Sequence, residues 1–307
     1  GGKRENPVNV YLLLLIVYSV GLTLFGLFIA RLVKQSSDFF VASRSLSWPL
    51  LGATVMAANI GAGATVGAAG LAFEQGLSAW WWNGSAAFGS LVLAFIVGPR
   101  IWRLAARHGF YTVGDYLEFR YGQSVRAITG SLIWIGTIAI LGGQLLAGAA
   151  VLDVVAGIPK WAGTIIGGIL MVVYFTAGGL LSSAWVNTVQ LMVMIVGMMI
   201  AVPLVVSNVG GIEALIAAPP LPAGFADITY SSGSGSGWTL LFLLGPAFII
   251  SPGLIQKAYG AQSAAVVRRG IGISALTLMA FAFIPVLLGM AARVSHPDLL
   301  SPDLVLP

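Results

Sequence analysis

A chain of 307 residues that is 58% hydrophobic and only 8% charged is too apolar for a soluble domain, which leaves a polytopic helical membrane protein as its class. The absence of cysteine excludes a disulfide framework, a thiol nucleophile and a cysteine metal site, and His108 and His296 lie far apart in loops, against a metal centre. The net charge of +5 does not point to nucleic acid, because the charges flank apolar segments.

Eight such segments follow one another, at about residues 8–30, 46–72, 78–97, 127–155, 161–177, 184–206, 238–255 and 271–292. No Lys, Arg, Asp or Glu lies well inside one. Alternate loops divide the basic residues unevenly. Arg31, Lys34, Arg44, Arg100, Arg103, Arg107, Arg120, Arg126, Lys257, Arg268 and Arg269 share one side, against Lys3, Arg4, Lys160 and Arg293 on the other. The positive-inside rule then predicts a multi-pass protein of the cell inner (plasma) membrane with both termini extracytoplasmic. The first segment is too long for a cleavable signal peptide and no small-residue cleavage site follows it.

The second segment holds the stretch around which the chain is organised, Ala57-Ala58-Asn59-Ile60-Gly61-Ala62-Gly63-Ala64-Thr65-Val66-Gly67-Ala68-Ala69-Gly70. Four glycines weaken a helix here, and hardly anything larger than threonine follows Ile60. Small residues let helices pack closely. They also permit unwinding, which a membrane tolerates only where protein or a water-filled cavity re-satisfies the freed carbonyls and amides.

Trp80, Trp81 and Trp82 open the third segment and read as interfacial anchors at the outer mouth, in a position also suited to roofing a cavity. The connection 103–126 carries its own short helix: Thr112 and Asp115 form a capping box and Gly122 ends it. The long outer connection 207–237 contains Pro219, Pro220 and Pro222, then a Ser/Gly run from Ser231 to Gly237 that reads as a flexible tether.

The seventh segment, Leu243-Leu244-Gly245-Pro246-Ala247-Phe248-Ile249-Ile250-Ser251-Pro252-Gly253-Leu254, contains two prolines and two glycines and cannot form a continuous helix. Two interrupted spans in corresponding halves are the best sequence pointer to the binding site of a secondary transporter. The remaining intramembrane polar groups are neutral: Asn83, Ser85 and Ser90 on the third segment, Gln144 on the fourth, Asn187 and Gln190 on the sixth. Proton relays require intramembrane carboxylates or histidines, so a monovalent cation held by carbonyl and hydroxyl oxygens fits better. The same lack of acid, base or nucleophile argues against an enzyme. Asn59, Ser90, Gln144, Phe248 and Ser251 are the expected solute contacts.

These motifs together resemble the sodium:solute symporter family. Phe39-Phe40-Val41-Ala42-Ser43-Arg44-Ser45-Leu46-Ser47-Trp48 is similar to the family's lead-in to its second helix, and Ala57-Ala58-Asn59-Ile60 to its first sodium-site segment. Tyr111-Thr112-Val113-Gly114-Asp115-Tyr116-Leu117-Glu118-Phe119-Arg120-Tyr121-Gly122 resembles its inner-loop helix. Tyr174-Phe175-Thr176-Ala177-Gly178-Gly179-Leu180, with Trp185 and Gln190, resembles its GGL–W–D–Q element.

The resemblance implies an all-α membrane protein with about eight transmembrane helices. These form a partial LeuT-type five-plus-five inverted repeat with an extra N-terminal helix. On that plan 1–307 is one membrane domain, with an accessory helix at 8–30, the first five-helix repeat at 46–206 and the start of the second at 238–292. Ala57 and Ile60 match the positions whose backbone carbonyls bind sodium. Gln256-Lys257 resembles the Gln-Arg that ends the broken core helix.

Two departures carry consequences. Asn187 stands where many members have an aspartate linked to cation binding, which leaves the sodium stoichiometry open. The final stretch, Ser301-Pro302-Asp303-Leu304-Val305-Leu306-Pro307, resembles the lead-in to core helix eight, whose hydroxyls complete the sodium site. Half a cation site is therefore expected here, with further C-terminal helices as partners. The implied function is sodium-coupled symport of a small organic solute by alternating access, in the lipid bilayer, with Na+ as coupling ion and no cofactor. The alternative is a non-transporting membrane sensor on the same fold.

Overall fold

The computed structural model describes residues 10–217, 221, 224–229, 237–299 and 305, without the side chains of Tyr174, Phe175 and Ala177. Lys3, Arg4, the prolines at 219, 220 and 222, the 231–236 part of the tether and most of the 301–307 stretch lie outside the described residues.

Among the described residues all regular secondary structure is helical, with a single isolated β-bridge between Leu46 and Ala261. The first helix, α1 (Val10–Ala30), exposes apolar side chains on most of its circumference, as a lipid-facing helix must. The short α2 (Ser36–Val41) and a left-handed turn at Ala42–Arg44 lead into α3 (Trp48–Asn59), with Pro49 in its first turn, where a missing N–H costs nothing. Beyond a break come a π-helical turn, Gly63–Gly67, and α4 (Ala68–Gln75). Gly76, at φ 68°, ends α4. Then α5 (Trp80–Val92) passes through a second π-helical turn, Leu93–Val97, into α6 (Gly98–His108).

The short α7 (Val113–Tyr121) has the capping box read from the sequence. Asp115 N–H donates to Thr112 Oγ1 at 3.3 Å, and Asp115 Oδ2 accepts from Thr112 N–H at 2.8 Å. Next, α8 (Gln123–Ala156) and α9 (Lys160–Asn208) are long. The latter is divided by a kink at Gly179, whose φ of 54° and ψ of −142° belong to no helix. The remaining helices are α10 (Gly211–Ala217), α11 (Leu240–Ile249), α12 (Pro252–Tyr259), α13 (Ala264–Phe281) and α14 (Phe283–Ser295).

Among the described residues, five helical stretches are long and apolar enough to cross a bilayer: Val10–Ala30, Gly63–His108, Gln123–Ala156, Gly178–Asn208 and Ala264–Ser295. The bent pair Gly237–Ile249 and Pro252–Tyr259, at 42°, makes a sixth. Eight apolar segments were expected, and the difference has local causes. Gly76 divides Gly63–His108 into parts of the second and third segments. The Gly179 kink leaves Lys160–Val173 as a shorter apolar helix. The second segment is itself cut at residues 60–62.

Lipid is as apolar as leucine, so helices in a bilayer adhere through close packing. Here glycine supplies it at particular places. A Cβ on Gly52 would stand 3.0 Å from Gly270 O, and one on Gly270 would stand 2.9 Å from Trp48 O, so α3 and α13 meet backbone to backbone. Gly89 lets α5 lie against α11, where an added Cβ would reach Phe248 Cβ at 2.9 Å.

The tryptophans do more than anchor. Trp80 is buried, its Nε1 donates to Met279 O at 3.1 Å, and Trp81 Nε1 donates to Ile228 O at 3.0 Å. The two indoles close one end of the bundle on α13 and the 224–229 loop.

Candidate functional site at the two helix breaks

The small-residue stretch does interrupt its helix. After Asn59 the backbone leaves helical geometry at Ile60 (φ −100°, ψ 81°) and re-enters at Ala62. Across the break, Ile60 N–H donates to Met56 O at 3.0 Å. Ala64 and Thr65 N–H donate to Gly61 O at 3.0 and 3.1 Å, and Gly67 N–H donates to Ala62 O at 3.0 Å. The carbonyls of Ala57 and Ile60 accept none of these bonds. They are the oxygens that the family resemblance implies for sodium.

Side chains from neighbouring helices hold the break open. Gln144 of α8 accepts the Ala62 N–H through Oε1 at 2.8 Å, and a Cβ on Gly61 would run into its carboxamide. Asn83 Nδ2 donates to Ala64 O at 2.9 Å, and Thr65 Oγ1 donates to Gly61 O at 3.0 Å. Freed peptide groups are thus re-satisfied by uncharged amides and a hydroxyl, as a bilayer interior requires. Asn59 is buried. Its Nδ2 donates to Ser90 Oγ at 3.4 Å, while its Oδ1 has no partner.

The second break lies at Ile250 and Ser251, between α11 and α12. Pro252 cannot donate a backbone hydrogen bond there. Phe248, just before it, packs with Ile60, Met56 and Leu278 in the cluster that joins α3, α5 and α13.

The expected solute contacts therefore divide. Gln144 lines a cavity of about 550 Å³ beside the first break, with Ala62, Gly63, Val66, Gly67 and Lys160. Asn59 and Ser90 meet one another, and Phe248 lies beside Gly89, one residue from Ser90. These four residues are gathered around the first break from α3, α5, α8 and α11. Ser251 belongs to the second break, and its carbonyl accepts from Ile255 N–H at 3.0 Å. None of Asn59, Ser90, Phe248 and Ser251 lines the 550 Å³ cavity.

Asn187, which the resemblance sets against a family aspartate, donates through Nδ2 to Thr54 Oγ1 at 3.3 Å, one turn before Ala57. Sequence reasoning placed Asn83 only among neutral intramembrane amides. Its role in securing the π-helical turn depends on the approach of α5, which no local signal encodes.

The sodium:solute symporter family matches residues 39–304 of this chain. The chain is 25% identical to the sodium/glucose cotransporter of Vibrio parahaemolyticus over 87% of its own length and 52% of that protein. It is 28% identical to the sodium/pantothenate symporter of Escherichia coli K12, over 93% of its own length and 61% of that protein. It thus spans between half and two thirds of these curated relatives. A solved Na+-coupled sialic acid symporter, in a substrate-bound outward-open state, superposes with a TM-score of 0.82, covering 98% of this chain and 65% of that one, at 17% identity. That likeness shows the LeuT-type fold. The family is one of membrane transporters, not enzymes, and its members bind Na+ and a small solute. With two interrupted helices meeting the family's motifs from residue 39 onward, this chain belongs to the sodium:solute symporter family.

Proposed function

We propose that the chain carries out, as the N-terminal part of a longer transporter, sodium-coupled symport of a small organic solute by alternating access. The observation that carries this reading is the break at residues 60–62, where the Ala57 and Ile60 carbonyls accept none of the backbone hydrogen bonds that span it. Hard oxygen ligands of this kind suit Na+, and unwound carbonyls supply them in transporters of this architecture. Further C-terminal helices would contribute the remaining ligands. Asn59, Ser90, Gln144 and Phe248 would face the solute, with Ser251 at the second break.

The repeat plan, with 8–30 accessory, 46–206 the first repeat and 238–292 the start of the second, is supported by the breaks, each lying in the first helix of its repeat. The inner-membrane topology with outer termini is supported by how loops group. Arg44 bonds to Phe110 O and Tyr259 O, which brings three basic loops to one face. Leu77 N–H donates to Phe225 O at 2.9 Å and Arg293 lies over the Phe73 ring, which gathers the other loops at the opposite end.

The test is uptake into proteoliposomes of radiolabelled sugars, carboxylates and amino acids under an inward Na+ gradient, with K+ as control. The 307-residue chain and a version extended through further helices are run side by side. Na+-dependent uptake by the extended version alone is expected. Uptake indifferent to Na+ would overturn the coupling.

A further inference from the structure

One short strap, residues 36–46, fastens the face that gathers the basic loops. Its last turn contains three consecutive non-glycine residues in the left-handed region, Ala42 and Ser43 at φ 47° and Arg44 at φ 55°. From there the Arg44 guanidinium reaches main-chain carbonyls of three separate elements. It donates to Ala105 O near the end of α6 at 2.8 Å, to Phe110 O in the following loop at 3.1 Å and to Tyr259 O at the end of α12 at 3.3 Å.

The neighbouring bonds run between the same partners. Leu46 N–H donates to Gly260 O at 2.9 Å, and Gln262 N–H donates to Leu46 O at 3.1 Å. Gln262 Nε2 donates to Ser45 O at 2.9 Å, and Gln256 Nε2 donates to Phe40 O at 3.0 Å. Every acceptor in this set is a neutral carbonyl. Such bonds can part and be taken over by water without leaving an unpaired carboxylate behind, a loss that would make an ion-paired closure far harder to open.

The strap also touches both interrupted helices. It continues directly into α3, and it holds the far end of α12, which lies beyond the 42° bend at Ile250 and Ser251. Hinges are a few element-terminal residues that absorb a large backbone change, and Ser251 before Pro252 is such a point.

We infer that residues 36–46 form a releasable latch, with Arg44 as its main fastening, that holds the ends of α6 and α12 together. Release opens the basic face by swinging α12 about Ile250 and Ser251. This rests on the alternating-access reading above, but opening is measurable without Na+ or solute.

The chain has no cysteine, so single reporters are clean. Ala258, fully buried in the cluster with Val41, Leu46 and Ala261, reports on the latch, and Ala72, fully buried at the opposite end, reports on general unfolding. N-ethylmaleimide labelling of Ala258→Cys is expected to run at least about tenfold faster in Arg44→Gln and in Arg44→Lys, since a single ammonium nitrogen cannot replace the two guanidinium nitrogens that share these three carbonyls. Ala72→Cys should label at an unchanged rate. Where an Arg44 variant does not accumulate, Gln256→Ala is measured instead, with a rise of about threefold expected. An unchanged Ala258→Cys rate, or an equal rise at both reporters, overturns the latch. Failure of Na+-gradient uptake alongside a positive labelling result would instead count against the transport reading.

Discussion

Gln144 Oε1 accepts the Ala62 backbone N–H at 2.8 Å, so a side chain from α8 replaces the helical hydrogen bond that the first break forfeits. One residue therefore does two things. It makes the unwound turn tolerable inside the membrane, and it lines the cavity next to it.

Replacing Gln144 by leucine leaves that N–H without its partner and fills the cavity wall with apolar bulk. A destabilisation of about 1 kcal/mol is expected, the usual scale for an interhelical hydrogen bond in a membrane. Thermal melting of the detergent-solubilised protein reads it. Gln144→Glu should retain most of the stability, because its carboxyl oxygen still accepts.

Gly61 and Gly63 should respond differently to the same change. A Cβ on Gly61 meets the Gln144 carboxamide, whereas the nearest atom to a Cβ on Gly63 is Trp82 Cζ2 at 3.9 Å. In the version extended through further helices, Gly61→Leu should abolish Na+-specific thermal stabilisation, measured in NaCl against choline chloride. Gly63→Leu should reduce it less, and Ala57→Ser least, because the Ala57 ligand is a backbone carbonyl.

The α3–α13 contact makes a separate prediction. Gly52→Leu must force apart backbones that now touch, and overpacking costs of about 1–3 kcal/mol or more follow. The variant should melt lower by the same amount with and without Na+. A loss confined to the Na+ condition would show that Gly52 acts on the cation site instead.

The strap's own cap sets a pH window. Hydrogen bonds from Ser43 Oγ and from the Lys34 and Gln35 N–H groups hold the Asp38 carboxyl below its ordinary pKa of 3.8. A lowered folded pKa means that this contribution is complete above the unfolded value and is lost as pH falls through the folded one. Ala258→Cys labelling should therefore be flat, corrected for thiolate reactivity, from pH 8 to about 5. Asp38→Asn should raise it at every pH in that range.

Topology is checked by two exposed positions. Cysteines introduced at Ser124 and Lys160 should be reached by an impermeant maleimide from opposite sides of the membrane, as the loop charges require.

The sequence by itself determined the class, the apolar segments, the capped α7 and both helix breaks. All of these follow from local chemistry: hydrophobic length, a Thr–Asp pair three residues apart, and glycine or proline where a helix cannot continue. Its loop charges also underlie the proposed topology, because charge placement biases insertion. What only the tertiary structure decided is which groups answer the freed backbone. Gln144 is 82 positions from Ala62, and Arg44 is 61 from Ala105 and 215 from Tyr259. Arg44 looked like one more basic flank residue, since neither its left-handed backbone nor its three carbonyl partners leave a mark on neighbouring sequence. Trp80 likewise read as an interfacial ring until α13 packed beside it. A hydrogen bond between distant segments depends on how helices pack, and in a bilayer that packing is set by the fit of small residues, which periodicity alone does not reveal.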